Sequence, residues 1–266
     1  MHLFGYFASL LIGVSLGLIG GGGSILTLPV MVYLFGVSPV MATSYSLFIV
    51  GSTSLIGAAQ QYKRGAVNIR MGVLFAISSV ITVFVTRKWL VPLIPETITT
   101  FQGFTLTGSR LTMMLFALLM LISSTFMLRK KTGHMDTDNS HHSVNFSKLV
   151  LFGISIGLVT GLLGAGGGFL LIPALVLILH LSMKEAIGTS LLVIALNSLI
   201  GFLGNLHEKG IDWTLLMMVS TLAIVGIIVG SYLNSKLPAD KLKKGFGWFV
   251  LVMGIYILAK ESGARI

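Results

Sequence analysis

The sequence predicts an all-α polytopic membrane protein made of two homologous halves arranged as inverted repeats, with eight to ten membrane segments that include short broken helices. Three observations predict it. Apolar residues make up 55% of the 266 positions and charged residues 10%, with a mean hydropathy of +0.96, where a soluble domain carries about 25% charged residues. No Asp, Glu, Lys or Arg stands between Leu3 and Gln61, or between Leu149 and Met183; a bilayer-spanning helix needs about 20 apolar residues. The chain also nearly repeats itself after 144 residues.

Apolar runs set against helix breakers give ten pieces: 3–19, 24–35, 40–60, 70–86 and 110–128, then 147–163, 168–180, 185–205, 213–235 and 245–260. The second piece of each half, at about 12 residues or roughly 18 Å of helix, is well below a full span. The N-terminal run lacks a basic leader and continues too long for a secretory signal, so it is expected to stay as a membrane segment. The only long polar stretch, 129–146, separates a first transmembrane repeat at 1–128 from a second at 147–266 and is expected to be a cytoplasmic linker. Within it His134, Asp136, Asp138, His141 and His142 are read as a solvated loop, because ligands on a linker lack the supporting shell of a metal site. No metal or other cofactor is expected. The absence of cysteine excludes disulfides, thiolate metal sites and cysteine catalysis.

Sliding the chain by 144 residues superposes Gly17–Gly57 on Gly161–Gly201 without gaps, with 16 of 41 positions identical. The matches include Gly20/Gly164, Gly22/Gly166, Gly23/Gly167, Pro29/Pro173, Ser38/Ser182, Ala42/Ala186 and Ser46/Ser190. Composition alone does not produce such an ordered set, and the period is far too long for a solenoid.

Basic residues set the orientation. If all ten pieces cross, one set of loops holds 12 of the Lys and Arg residues, from Lys63 and Arg64 to Lys244, and the other holds 6, among them Arg87, Lys88 and Arg110. The richer side is cytoplasmic, which places both termini outside and makes the two five-segment halves inverted. The same retention of cations in loops explains the net charge of +10 without nucleic acid, and the protein is expected in the cell inner (plasma) membrane, surrounded by lipid.

Small residues recur every fourth position at Ser9, Gly13, Gly17 and Gly21, and at Gly153, Gly157, Gly161 and Ala165. Such grooves let another helix backbone approach closely, and packing explains them. Packing does not explain the consecutive clusters Gly20–Gly23 and Gly166–Gly168, which unwind the helix and free amides that lipid cannot satisfy. A helix restarting at Ser24 or Phe169 turns its first amides and positive dipole end toward the break, an anion site made without a charged side chain. The two breaks are expected to face each other near the midplane. The candidate substrate site therefore comprises Gly20, Gly21, Gly22, Gly23 and Ser24 with Gly164, Gly166, Gly167 and Gly168, joined by the downstream polar residues Ser44, Ser46, Thr189, Ser190 and Asn197. Hydroxyls and amides are the neutral donors an oxyanion needs; singly they also serve as interhelical bonds.

Catalysis finds little support, with no HExxH metal motif and no G-x-S-x-G nucleophile elbow expected. No apolar segment carries an acid in its middle, so coupling to a proton or sodium ion would draw on the substrate's own charge or on boundary residues such as His207 and Glu208.

The stretches "GLIGGGGSILTLPV…ATSYSLF" and "GLVTGLLGAGGGFLLIPAL…EAIGTSLLVIALNSLIGFLGNLHEKGIDW" resemble the TauE/SafE family of membrane transporters, the sulfite exporters. The likeness covers nearly the whole chain and includes the duplicated glycine-to-proline motif, the A-x-x-x-S element and "KGIDW". The first half has "RGAVNI" instead, with Asn68 at the place of Asp212. The resemblance implies secondary transport, usually export, of small sulfur-containing anions: sulfite, sulfoacetate or related organosulfonates. A homodimer is compatible with it. The competing expectation is a membrane-embedded assembly or partner protein whose glycines serve helix packing alone.

Overall fold

The structure, a computed structural model, describes residues 2–21, 23–93, 97–101, 104–128, 146–163, 168, 171–172, 175, 181–205, 210–234 and 239–262. Its elements are α1 (His2–Ile19), α2 (Ser24–Pro29, continued as a π turn over Val30–Leu34), α3 (Pro39–Lys63) and α4 (Ile69–Val85, continued through Leu93). A short antiparallel hairpin, β1 (Thr97–Phe101) and β2 (Phe104–Thr107), leads into α5 (Gly108–Leu128). Then come α6 (Phe146–Leu163), α7 (Met183–Leu203), α8 (Trp213–Asn234) and α9 (Ala239–Glu261). Among the described residues four helices, over Pro39–Lys63, Ile69–Leu93, Lys184–Leu203 and Trp213–Asn234, are long and apolar enough to cross a bilayer. Exposed side chains such as Phe7, Ile77, Ile81, Leu151 and Val252 give the outer faces an apolar surface, as lipid requires. The protein is an all-α multi-pass membrane protein.

The helix starts follow local chemistry. The Asn68 side chain accepts the Met71 amide at 3.1 Å and caps α4, while Asp212 Oδ1 accepts the Leu215 amide at 3.0 Å and caps α8. Ser182 and Glu185 form a capping box on α7, whereas α3 opens with Pro39 after Ser38. The starts His2 and Phe146, Pro39 and Met183, and Ile69 and Trp213 are each separated by 144 positions.

Every principal helix pair joins one half of the chain to the other. A Cβ on Gly17 of α1 would lie 2.5 Å from the Ile227 carbonyl oxygen of α8 and 2.6 Å from the Ser231 amide nitrogen. Gly13 faces the Ala223 carbonyl, and Gly226 and Gly230 of α8 face the Leu10 and Val14 carbonyls in return. The two helices run parallel, backbone against backbone. On the other side, Gly153, Gly157 and Gly161 of α6 meet Ser78, Ser79 and Thr86 along α4, again in parallel. The small-residue grooves are thus packing surfaces, as their spacing predicts. Between these pairs α3 and α7 cross antiparallel, with Gly201 against Leu47, Gly51 against Leu199 and Gly57 against Leu191.

Three features differ from the sequence expectation. The π turn follows Pro29 directly; proline supplies no N–H to the ladder, and the helix relaxes to the longer hydrogen-bond spacing. The hairpin at Thr97–Thr107 fills what reads as a loop, and its β-branched "TITTF" and "FTLT" suit paired strands. Finally, α9 begins six residues earlier than its apolar run, because Lys and Asp are compatible with helix outside the bilayer.

Candidate functional site

The first helix break is built as its glycines predict. α1 ends at Ile19, and Gly20 takes φ +83°, a conformation that L side chains rarely adopt. The chain then turns back along α1. A Cβ on Gly23 would lie 2.6 Å from the Ile12 carbonyl oxygen, and one on Gly5 2.6 Å from the Phe35 ring. The short second piece therefore returns toward the end of α1 from which the chain came. Gly20, Gly21, Gly23 and Ser24 are all buried. The Ser24 hydroxyl donates to the Gly21 carbonyl at 2.8 Å, tying the restarted helix to the break.

The second half meets the first here. Gly168 lies backbone to backbone against Gly21: a Cβ on Gly168 would stand 2.5 Å from Gly21 Cα, 2.7 Å from its carbonyl oxygen and 2.6 Å from Ile194 Cδ1. A Cβ on Gly20 would touch Ser190 Oγ at 3.1 Å. Ser190, Ile194 and Asn197 share one face of α7, and Ile194 lies about halfway along it. Asn197 is fully buried; its Oδ1 accepts from Ser79 Oγ of α4 at 2.9 Å, while its Nδ2 has no partner among the described residues. The hydroxyls of Thr53, Ser54 and Ser198, near the antiparallel α3–α7 crossing, are buried and unpartnered in the same sense. An unmatched buried polar group costs about 1–3 kcal/mol.

Of the residues singled out by sequence, Gly20, Gly21, Gly23, Ser24, Gly168, Ser190 and Asn197 gather around this break. Gly22, Gly164, Gly166 and Gly167 lie outside the described residues, as do His207, Glu208 and the linker histidines. Ser46 is fully buried on α3, its hydroxyl without a partner among the described residues. Ser44 and Thr189 have structural work. Ser44 Oγ accepts from Asn205 Nδ2 at 2.5 Å, and Thr189 Oγ1 accepts the Asn68 amide at 2.9 Å, holding the α3–α4 turn.

One residue escaped the sequence reading. Arg87 counts there as a loop cation, yet it lies in the continuation of α4, 1% exposed, with its Nη1 donating to Thr43 Oγ1 at 2.8 Å. Its signal is a charge 18 residues past Ile69, still inside a 25-residue apolar span.

The string G-x-S-x-G does occur, at Gly13–Gly17 and Gly153–Gly157. Both copies lie inside helices; Ser15 Oγ donates to the Ile12 carbonyl and Ser155 Oγ to that of Leu151. Neither is the strand-to-helix elbow that exposes a nucleophile.

Comparison with known proteins decides the family. The family described as "Sulfite exporter TauE/SafE" matches residues 6–257. The chain belongs to the TauE/SafE family. Its relatives include a "Probable membrane transporter protein" of Xylella fastidiosa, 31% identical over 255 residues, covering 93% of this chain and 91% of that one. Another is the "Probable membrane transporter protein YdhB" of Bacillus subtilis, 28% identical over 248 residues, covering 93% and 96%. No solved structure matches. This TauE/SafE protein is accordingly a membrane transporter and not an enzyme.

Proposed function

We propose that the protein is a secondary transporter, working as an exporter, of small sulfur-containing anions such as sulfite, sulfoacetate or related organosulfonates. They bind where the two glycine breaks meet near the membrane midplane. The observation that carries this reading is the apposition of Gly21 and Gly168 beside Ser190 and Asn197. It sets the start of the restarted helix beside buried side-chain donors, and Asn197 Nδ2 has no partner among the described residues. Donors without a full compensating cation hold an oxyanion and still release it. Family membership supports the substrate class.

Inverted repeats support alternating access. α3 and α7 correspond under the 144-residue shift and cross antiparallel, as an axis in the membrane plane requires. The α1–α8 contact becomes the α6–α4 contact under the same shift. Lys63, Arg64 and Arg70 flank the α3–α4 turn, which packs on the start of α7 beside Lys184; this agrees with a cytoplasmic assignment of that end. The location that fits is the cell inner (plasma) membrane.

The competing reading, an assembly protein with packing glycines, draws on the same tight contact. Purified protein in proteoliposomes separates them. Transport predicts sulfite or sulfoacetate counterflow and an anion-dependent rise in melting temperature, both lost in Asn197→Leu. A packing role predicts neither flux nor shift in the wild type.

A further inference from the structure

We propose that the anion passes between Asn197 and the end of the molecule at Thr86 along the α4–α6 seam, and that the α1–α8 seam, its counterpart in the other half, stays shut. The inference rests on the anion-transport reading and adds a route to its site.

The two seams are equivalent by sequence and different in chemistry. α4 carries Ser78, Ser79, Thr82 and Thr86 where α8, 144 residues on, carries Leu222, Ala223, Gly226 and Gly230. On the facing helix, Thr160 of α6 stands where α1 has Leu16. One copy of the seam is lined with hydroxyls, the other with glycine and hydrocarbon.

They are also held differently. In α1–α8 glycines stand on both helices and each meets the opposite backbone: Gly13 the Ala223 carbonyl, Gly226 that of Leu10 and Gly230 that of Val14. Such close backbone contact is the tight packing that small residues provide in membranes. In α4–α6 the glycines stand on α6 and meet mainly side chains. A Cβ on Gly161 would lie 2.7 Å from Thr86 Cβ, one on Gly157 2.8 Å from Thr82 Cβ, and one on Gly153 would meet Ser78 Oγ; only Gly157 also touches a carbonyl closely, that of Ser79 at 2.5 Å. A layer of hydroxyl side chains therefore lies between the two backbones.

In the closed seam these hydroxyls are satisfied locally. Ser78 Oγ donates to the Phe75 carbonyl at 3.1 Å and Thr82 Oγ1 to that of Ser78 at 2.9 Å. Back-bonding of this kind is common for Ser and Thr in helices, and rotation to another staggered χ1 turns the hydroxyl toward water or an anion. Donors without a partner mark where the route meets the site. Asn197 is tied to α4 by its Oδ1, which accepts from Ser79 at 2.9 Å, and its Nδ2 has no partner among the described residues. Thr160, three residues after Gly157, is 0% exposed and its hydroxyl is unpartnered in the same sense. The counterparts of Asn197 and Ser79 are Thr53 and Ala223, so the amide–hydroxyl pair that joins α7 to α4 has no equivalent between α3 and α8. The ligand class is a small oxyanion, which takes neutral hydroxyl donors in succession and is trapped by none of them.

The chain has no cysteine, so one introduced thiol reports on one place. Thr86 is 3% exposed, and Ser9, in line with Gly13 and Gly17 on α1, is 0% exposed; static burial predicts protection at both. Thr86→Cys, Thr82→Cys and Ser9→Cys in proteoliposomes are treated with N-ethylmaleimide, which alkylates a hydrated thiol. Intact mass gives the extent, and counterflow of sulfite and of sulfoacetate is measured after the reagent is removed. Thr86→Cys and Thr82→Cys should be alkylated and lose flux relative to their untreated forms, while Ser9→Cys stays unmodified and active. Threonine-site thiols as protected as that of Ser9→Cys, or alkylated with full flux, overturn the route and leave the transport reading standing. Either threonine variant decides alone if the other does not fold. Alkylation of Ser9→Cys as extensive as that of Thr86→Cys overturns the shut α1–α8 seam. A wild type without flux of either anion overturns the transport reading, and the route with it.

Discussion

The Tyr45 hydroxyl accepts the backbone amide of Asp212 at 2.5 Å, joining α3 to the turn before α8. The counterpart bond, from the Asn68 amide to Thr189 Oγ1 at 2.9 Å, joins α7 to the turn before α4. Each half thus fastens the other with the same backbone group and a hydroxyl at the same position. Tyr45→Phe and Thr189→Val should each cost about 0.5–1.5 kcal/mol, the net worth of one such bond. Unfolding in mixed detergent micelles measures it, and wild-type stability in both variants would show the bonds to be incidental.

Capping charge should not matter at Asp212, since Asn68 caps α4 through the same side-chain atom. Asp212→Ala and Asn68→Ala are expected to lose about 1 kcal/mol each. Asp212→Asn should lose almost nothing. A large loss in Asp212→Asn would assign the carboxylate another task.

Glycine substitutions should sort by surroundings. At Gly36, φ is +71° and nothing lies within 4 Å, so Gly36→Ala meets backbone strain alone, about 1–2 kcal/mol. Gly13→Ala drives a methyl into the Ala223 carbonyl, and the α1–α8 pair must separate at a cost of about 1–3 kcal/mol or more. Yield of monodisperse protein and its melting temperature should fall much further for Gly13→Ala. Equal losses would contradict the tight pair.

Asn197 should show a trade between stability and transport. Asn197→Leu removes a buried donor without a partner among the described residues, while Ser79 keeps its bond to the Phe75 carbonyl at 3.1 Å. The variant should therefore melt at or above wild type by about 1 kcal/mol and transport no sulfite. A stable variant with full flux would remove Asn197 from the site.

Reporter fusions test the orientation. A reporter at Thr137 should lie in the cytoplasm and one after Ile266 outside; cytoplasmic signal from both would refute the inverted arrangement.

Membrane class, the described helices and the position of the first break were legible in the residues, because hydropathy and the conformational freedom of glycine are local properties. The apolar runs 3–19 and 24–35 meet α1 and α2 with its π turn almost to the residue. The 144-residue shift was legible too, since it needs no coordinates. Sequence also placed glycine packing at Gly13 and Gly17, but not its partner, as nothing local to α1 points to Ala223 or Ile227 more than 200 residues away. Tertiary structure alone decided that each half packs through the other and that Gly21 touches Gly168. It also showed Thr189 holding a turn and Arg87 facing inward. Each of these depends on which surface a distant helix brings up, and an apolar membrane helix offers several faces of nearly equal hydropathy.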